Sequence, residues 1–231
     1  MAVKAVVFDL DGTIVSFNID YMAVRAEVKS LLMKEGFPAS ILTTKESIFE
    51  MLKKVEIFLK NQKKPSRKFE EIRSQALAIA EKFEFEAAKT TSLLSGTVEA
   101  LKEVKKMQMR IGLCTVNGDR ATEYLLKKFK IGQYFDATIT RDEVKNVKPS
   151  SEHLEAVLAA LEVNAEEAVV VGDGIGDMKC ARELQALAVG LPTGVSTAAE
   201  LMNAGADYII TSITDLPGLI ESVNEPSELS P

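Results

Sequence analysis

The distribution of apolar residues along the chain changes twice. The short run Ala5-Val6-Val7-Phe8 near the start is typical of a buried strand, and the turn after it extends to about residue 15. From Ile19 to Lys89 apolar residues recur only at helical spacing. Beyond Leu93 short β-branched runs alternate with helical patterns almost to the end. This alternation predicts a parallel sheet with helices on both faces.

The middle block predicts three helices. The first is expected from about Ile19 to Glu35. The second is predicted to start at a capping box, in which Glu46 follows Thr43 by three residues, and the third follows Pro65-Ser66. Their apolar stripes are typical of helix packing. We therefore interpret the block as a small all-helical bundle inserted into an α/β domain.

The remaining segments predict the elements of that α/β domain. The domain is expected to comprise residues 1–16 and 92–224, with the inserted bundle over 17–91 and a flexible tail over 225–231. The predicted helices are Thr97–Met107, Asp119–Lys130, Ser151–Leu161, Asp177–Leu184, Thr197–Ala204 and one that ends before Glu225; the predicted strands after the first are Arg110–Thr115, Ala137–Thr140, Ala168–Val171, Ala186–Val189 and Tyr208–Ile210.

Composition excludes several classes of function. Of the 231 residues, 28 are Lys or Arg and 34 are Asp or Glu, so the net charge of −6 argues against a nucleic-acid or acidic-membrane partner. The only two cysteines, Cys114 and Cys180, lie in apolar contexts, which favours a reducing compartment. No run approaches the roughly 20 apolar residues of a membrane span. We expect a cytoplasmic monomer or homodimer, with the single histidine, His153, exposed on its helix.

Two clusters of aspartates carry the candidate chemistry. Asp9 and Asp11 follow the first apolar strand, and Asp173 and Asp177 follow the strand that ends at Val171. Either cluster alone is also typical of an Asp-Gly turn or a helix cap. Loops at the carboxyl ends of parallel strands share one edge of the sheet, so the two clusters are expected to converge there. Converging carboxylates repel, and Mg²⁺ is the cation that an oxygen-only set of ligands suits best.

Two further segments supply groups for an anion. Thr115, Val116 and Asn117 lie between a predicted strand and a predicted helix, where hydroxyl and N–H groups suit a phosphate. Lys148 precedes Pro149 ahead of the helix at Ser151. Alone, the first segment is more often a simple helix cap, and a lone lysine in a loop is usually solvated surface.

Together these segments resemble the haloacid dehalogenase superfamily of phosphohydrolases. The family's four motifs match Asp9-x-Asp11-Gly12-Thr13, then Thr115, then Lys148-Pro149, then Gly172-Asp173-x-x-x-Asp177. The resemblance implies a Rossmann-like three-layer core with an inserted helical cap, and the segment from Leu94 to Val98 is similar to phosphoglycolate-phosphatase-like members. It further implies Mg²⁺-dependent hydrolysis of a small phosphorylated metabolite, such as phosphoglycolate or a sugar phosphate, under a cap that closes over it.

The resemblance also implies a role for each motif residue. Asp9 would be the nucleophile that forms an aspartyl-phosphate, and Asp11 would be the general acid and base. Asp9, Asp173 and the backbone carbonyl of Asp11 would hold Mg²⁺, while Asp177 would support Lys148 or a water molecule beside the metal. The phosphate-binding groups would be Thr115, Val116, Asn117 and Lys148.

Four alternatives remain open at this point. Cys114 and Arg120 have the spacing of a cysteine-dependent phosphatase loop. The glycines at 172, 174 and 176 have a nucleotide-binding pattern, although Asp177 stands where a dinucleotide loop needs its third glycine. A phosphosugar mutase of the same superfamily would carry the same aspartates. A non-catalytic protein that binds phosphometabolites would retain the binding groups without turnover.

Overall fold

The structure, a computed structural model, describes residues 2–225. Within them the strands form one parallel sheet in the order β3-β2-β1-β4-β5-β6, which confirms the predicted α/β class. Strand β1 is central because it pairs with both β2 and β4, and Phe8 lies opposite Leu113 on one side and Val171 on the other. The strands are β1 Ala5–Phe8, β2 Arg110–Cys114, β3 Ala137–Ile139, β4 Ala168–Gly172, β5 Leu187–Gly190 and β6 Tyr208–Ile209.

Helices cover the sheet and form a separate bundle. Helices α6 and α7 bury Leu154, Val157 and Met178 against strand residues such as Val7 and Val170. The α-helices are α1 Tyr21–Lys34, α2 Ile48–Asn61, α3 Ser66–Thr90, α4 Thr97–Lys106, α5 Asp119–Lys128, α6 Ser151–Leu161, α7 Ile175–Leu184, α8 Ala198–Ala204 and α9 Leu216–Asn224. None of these helices is long and apolar enough to cross a bilayer.

Helix α7 starts two residues earlier than its sequence pattern indicates. Glycines at 174 and 176 lower helix propensity, so the pattern placed the first helical residue at Asp177. In the structure the Asp177 side chain accepts a hydrogen bond from the backbone N–H of Gly174 at 3.1 Å. That bond satisfies one of the free N–H groups at the helix start, so the helix begins at Ile175 despite the glycines.

The predicted cap of α2 is wrong by one turn. The sequence contains two consecutive capping-box patterns, and the structure uses the second, in which Ser47 and Glu50 bond each other's backbone. Glu46 instead pairs with Lys54 at 2.6 Å. Ser47 immediately precedes the apolar stripe that α2 buries, so it caps the turn that packing stabilises.

The chain divides into two compact units. Ile19–Thr90 forms one unit, built from α1, α2 and α3 around residues that include Leu32, Met51 and Ile72. The described residues on either side of this segment form the other unit, which contains the sheet. The tail expected over 225–231 lies outside the described residues except for Glu225.

Candidate active site

The order of the strands brings the two aspartate clusters together. Because β1 and β4 are neighbours, Asp9 and Asp173 follow adjacent strand ends, and the backbone N–H of Asp9 bonds the carbonyl of Val171 at 2.9 Å. Strands β2 and β3 lie on one side of β1, and strands β4, β5 and β6 lie on the other side. Ligands of such sheets bind where the strand order changes in this way, here between β1 and β4. Carboxylate oxygens of Asp9, Asp173 and Asp177 all lie within 4.8 Å of one another.

Glycines make room for these carboxylates. Gly12 has a φ of +78°, and a Cβ built there would lie 2.6 Å from the carboxyl carbon of Asp173. A Cβ at Gly172 would overlap the carboxylate of Asp177. Side chains at these two positions would therefore displace the acidic groups, and glycine is required for the close approach.

Lys148 is buried among these carboxylates. Its Nζ donates to Asp9 Oδ1 at 2.7 Å, to Asp177 Oδ1 at 2.6 Å and to the carbonyl of Cys114 at 2.8 Å. Burial alone lowers the pKa of Lys148, but the carboxylates of Asp177 and Asp9 outweigh it and hold this pKa well above its ordinary value. The ammonium group is therefore permanently charged and directed at the edge of the sheet.

The single positive charge of Lys148 does not balance the negative charges of all three aspartates. Burial, followed by the charges of Asp9 and Asp177, raises the pKa of Asp173 to about 8. Burial also raises the pKa of Asp177 to about 6, although Lys148 acts in the opposite direction. Asp173 accepts a hydrogen bond from the backbone N–H of Val195 at 2.7 Å, but among the described residues it forms no ion pair with a cationic side chain. The surplus negative charge and the oxygen-only donors fit Mg²⁺ rather than zinc.

Asp11 lies outside this group of three carboxylates. Its Oδ2 accepts a hydrogen bond from the side-chain amide of Asn117 at 2.5 Å. The structure therefore gives Asn117 a contact with Asp11 that the sequence pattern did not indicate. Asp11 follows β1 by three residues, so its carboxyl group is close to the cluster in sequence but has a separate partner.

The segment after β2 is shaped by Arg141, which sequence analysis missed. The Arg141 guanidinium donates to the carbonyl of Val116 at 3.2 Å, and its backbone N–H donates to the carbonyl of Asn117 at 3.2 Å. The backbone N–H of Asn117 bonds Thr115 Oγ1 at 3.2 Å. These bonds occupy the carbonyls of the loop, so Arg141 fixes its backbone. A buried arginine two residues after a strand has no recognisable spacing, so the sequence carried no signal for it.

The cysteine alternative is not supported by the surroundings of Cys114. Its side chain is buried in the core between the sheet and α6. Burial raises the pKa of the Cys114 thiol, whereas a nucleophilic cysteine needs a lowered one. Cys114 contributes its backbone carbonyl to Lys148, and its thiol packs as a small apolar group.

The prediction that His153 is exposed is wrong. His153 is 0% exposed, because α6 turns this position toward β3 and Lys148. Its Nδ1 lies 3.4 Å from the backbone nitrogen of Lys148, and its Nε2 lies 3.2 Å from the carbonyl oxygen of Ile139. His153 precedes Val157 by four residues and therefore shares the buried face of α6, a helical spacing that could have indicated burial. Its main-chain partners, in contrast, are invisible in a sequence.

One family model matches most of the chain. The model of the family described as haloacid dehalogenase-like hydrolase matches residues 6–190. The pyrophosphatase PpaX of Bacillus mycoides is 30% identical over 126 residues, which are 54% of this chain and 59% of that protein. The chain thus spans about three fifths of the length of this relative. PpaX of Bacillus anthracis is 28% identical over 126 residues, 54% of this chain and 58% of its own.

Solved structures share the fold. A hydrolase from Pseudomonas syringae has a TM-score of 0.65 at 22% identity, over 96% of this chain and 100% of its own. A predicted phosphoglycolate phosphatase from Haemophilus somnus has a TM-score of 0.62 at 17% identity, over 94% and 97% of the two chains. At these identities the likeness concerns the fold alone.

Proposed function

The chain belongs to the haloacid dehalogenase-like hydrolase family, and we propose that it is a Mg²⁺-dependent phosphatase that cleaves small phosphate monoesters through an aspartyl-phosphate on Asp9. One observation carries this proposal: Asp9 accepts a hydrogen bond from the ammonium of Lys148 at 2.7 Å and has a carboxylate oxygen within 4.8 Å of oxygens of Asp173 and Asp177. Attack of an anionic nucleophile on an anionic phosphate requires positive charge beside both groups, which Lys148 supplies and a cation held by the surplus carboxylates would complete.

Lys148 and the loop after β2 would hold the phosphoryl group. The ammonium of Lys148 supplies positive charge next to Asp9, and Thr115 lies at the end of the neighbouring strand β2. The backbone N–H of Val116 is a candidate donor, in a loop whose backbone Arg141 fixes by bonding its carbonyls. The N–H of Asn117 would have to exchange its bond to Thr115 Oγ1 for one to the phosphate. A donor in a fixed backbone stabilises the negative charge of the transferred group without having to reorganise.

Asp9 and Asp11 would divide the chemistry between them. A carboxylate oxygen of Asp9 forms a bond to phosphorus while the bond from phosphorus to the ester oxygen breaks. The carboxyl group of Asp11 gives its proton to the leaving oxygen, which departs as an alcohol. Asp11 then takes a proton from water as the water oxygen attacks phosphorus. The phosphorus–Asp9 bond breaks, phosphate is released, and both carboxyl groups return to their starting states.

Asp9, Asp173 and the backbone carbonyl of Asp11 would hold Mg²⁺. When bound, the ion would neutralise charge that otherwise opposes the approach of a carboxylate to a phosphate. The raised pKa of Asp173 agrees with a cation at this position, because a neighbouring positive charge would restore the ionised carboxylate.

Asp11 favours phosphoryl transfer over release of a halide. A halide leaves without a proton, so a dehalogenase needs no acid at position 11, whereas an alkoxide does. The names of the relatives indicate two substrates to test first. Phosphoglycolate represents an ester with a poor leaving group, and pyrophosphate represents a phosphoanhydride whose leaving phosphate needs less protonation.

A screen for phosphate release tests the proposal. The purified protein is assayed with phosphoglycolate, pyrophosphate and several sugar phosphates, in Mg²⁺ and in EDTA, beside the variant Asp9→Asn. We expect turnover in Mg²⁺ only, and none for Asp9→Asn even though its unfolding transition remains cooperative. Turnover that survives Asp9→Asn would contradict the proposed nucleophile, and isomerisation of a sugar phosphate without net phosphate release would indicate the mutase instead.

A further inference from the structure

We propose that His153 is a positioning residue whose neutral imidazole, protonated on Nε2, joins the backbone of Lys148 to the β3 carbonyl of Ile139, the same carbonyl that binds Thr115 after β2. The inference rests on the proposed function, because it assigns His153 a role in placing groups for that reaction. No motif of the sequence includes this residue, and its partners are main-chain atoms.

The imidazole connects two segments of the site. The backbone N–H of Lys148 points to Nδ1 at 3.4 Å, so Nδ1 acts as the acceptor. The other nitrogen, Nε2, lies 3.2 Å from the carbonyl oxygen of Ile139 and must therefore carry the proton. That same carbonyl accepts the backbone N–H of Thr115 at 3.1 Å. One side chain thus links the backbone of Lys148 to the atom that anchors Thr115.

This linkage bears on the placement of the lysine ammonium. The Nζ of Lys148 has three acceptors at 2.6–2.8 Å, which fix the far end of the side chain. The bond to His153 fixes the near end, because it holds the backbone from which that side chain starts. With both ends held, Lys148 can change its position little when a substrate replaces one of the acceptors.

The surroundings of His153 keep the ring neutral. Burial, followed by the charge of Lys148, lowers the pKa of His153 to about 4, while the carbonyls of Ile139 and Thr140 and the charge of Asp9 act in the opposite direction. A protonated ring would offer Lys148 a second N–H instead of an acceptor. The neighbouring buried residues of α6, Leu154 and Val157, are apolar, so filling the core alone would not require an imidazole here.

Three variants separate positioning from packing. His153→Asn keeps an acceptor close to the place of Nδ1, His153→Gln keeps a donor close to the place of Nε2, and His153→Leu keeps only volume. We expect kcat/KM to fall about 10- to 100-fold in His153→Leu. We expect His153→Asn to recover more of this loss than His153→Gln, since the bond to Lys148 acts on the reacting groups. Equal activity of Asn and Leu variants that both unfold cooperatively would overturn the proposal.

A double-mutant cycle with Lys148→Met tests whether His153 acts through Lys148. With p-nitrophenyl phosphate as substrate, His153→Leu should cost less than about 2-fold once Lys148 is already replaced. A second full loss in that background would show that His153 acts independently of Lys148 and would refute its positioning role, while the proposed function would stand. Failure of the wild type to release phosphate would instead refute the proposed function.

The single histidine allows a readout that needs no turnover. In tag-free protein labelled with ¹⁵N-histidine, the imidazole signals belong to His153 alone. We expect a proton on Nε2, none on Nδ1, and no protonation between pH 8 and pH 5. A ring protonated on Nδ1 would leave no acceptor for Lys148 and would overturn the proposal.

Discussion

Asn in place of Asp173 would remove one negative charge from the group of three carboxylates. The change keeps the shape of the side chain and an oxygen that can accept the N–H of Val195, which Asp173 binds at 2.7 Å. It removes a carboxyl group whose ionised form is disfavoured in the folded protein, because burial and then the charges of Asp9 and Asp177 raise its pKa from 3.8 to about 8. We therefore expect Asp173→Asn to stabilise the protein when no divalent cation is present.

The magnitude follows from the difference between the folded and unfolded pKa of Asp173. The folded state favours the protonated acid, so its contribution to stability is complete below pH 3.8 and is lost as the pH rises toward about 8. At pH 7 the loss amounts to about 4 kcal/mol as an upper limit. The amide adds buried N–H donors that cost about 1–3 kcal/mol. The net gain expected for Asp173→Asn at pH 7 is thus about 1–3 kcal/mol.

Urea unfolding in EDTA at pH 5, 6 and 7 measures this gain. The advantage of the variant over wild type should grow by up to about 1.4 kcal/mol per pH unit. Mg²⁺ at 100 times its dissociation constant should stabilise wild type by about 2.7 kcal/mol and the variant much less. Asp207→Asn is the matched control, because Asp207 also accepts a backbone N–H, that of Ala188 at 2.8 Å, near the start of β5. If Asp173→Asn is less stable than wild type in EDTA at pH 7, or keeps the full response to Mg²⁺, the reasoning fails.

Three other variants test separate parts of the site. Asp11→Ala should lower turnover of an alkyl phosphate at least about 100-fold and that of p-nitrophenyl phosphate less, because its leaving group needs no proton although the attacking water still needs a base. Equal losses would argue against a general acid. Cys114→Ser should leave turnover largely unchanged in the same assay, whereas an inactive variant would restore the cysteine alternative. Gly12→Ala should lower the urea-derived free energy of unfolding by about 1–3 kcal/mol, because φ is +78° there and the new Cβ meets Asp173; unchanged stability would show that the turn relaxes freely.

The sheet and its acidic edge were predictable because both depend on short-range patterns. Alternating helical and β-branched segments define a parallel sheet, and Asp9 and Asp173 each come directly after an apolar strand. The sequence does not specify which strands are neighbours. The pairing of β1 with β4 brought Asp9 and Asp173 together, and β2, the other neighbour of β1, supplies the Cys114 carbonyl that Lys148 binds.

The residues that sequence analysis missed bind through main-chain atoms. Arg141 bonds the carbonyl of Val116, and His153 bonds Lys148 and Ile139 through backbone N–H and carbonyl groups. Every residue offers the same backbone groups, so no pairing of residue types reveals such contacts. The prediction of the α2 cap was wrong for a related reason. Thr43 and Ser47 begin equivalent capping patterns, and packing of the helix that follows decides between them.

The charges of the site explain why its supporting bonds involve the backbone. Lys148 already contacts two carboxylates, and Asp173 adds a third negative charge within 4.8 Å of the others. Another charged side chain used as a support would change this balance and shift every pKa in the group. A neutral imidazole and main-chain amides hold Lys148, Thr115 and Asp173 without adding charge. The bonds that hold the backbone of Lys148, Thr115 and Asp173 thus come from neutral groups, which leave little trace in a sequence, whereas the charged Arg141 binds a carbonyl further along the loop after β2.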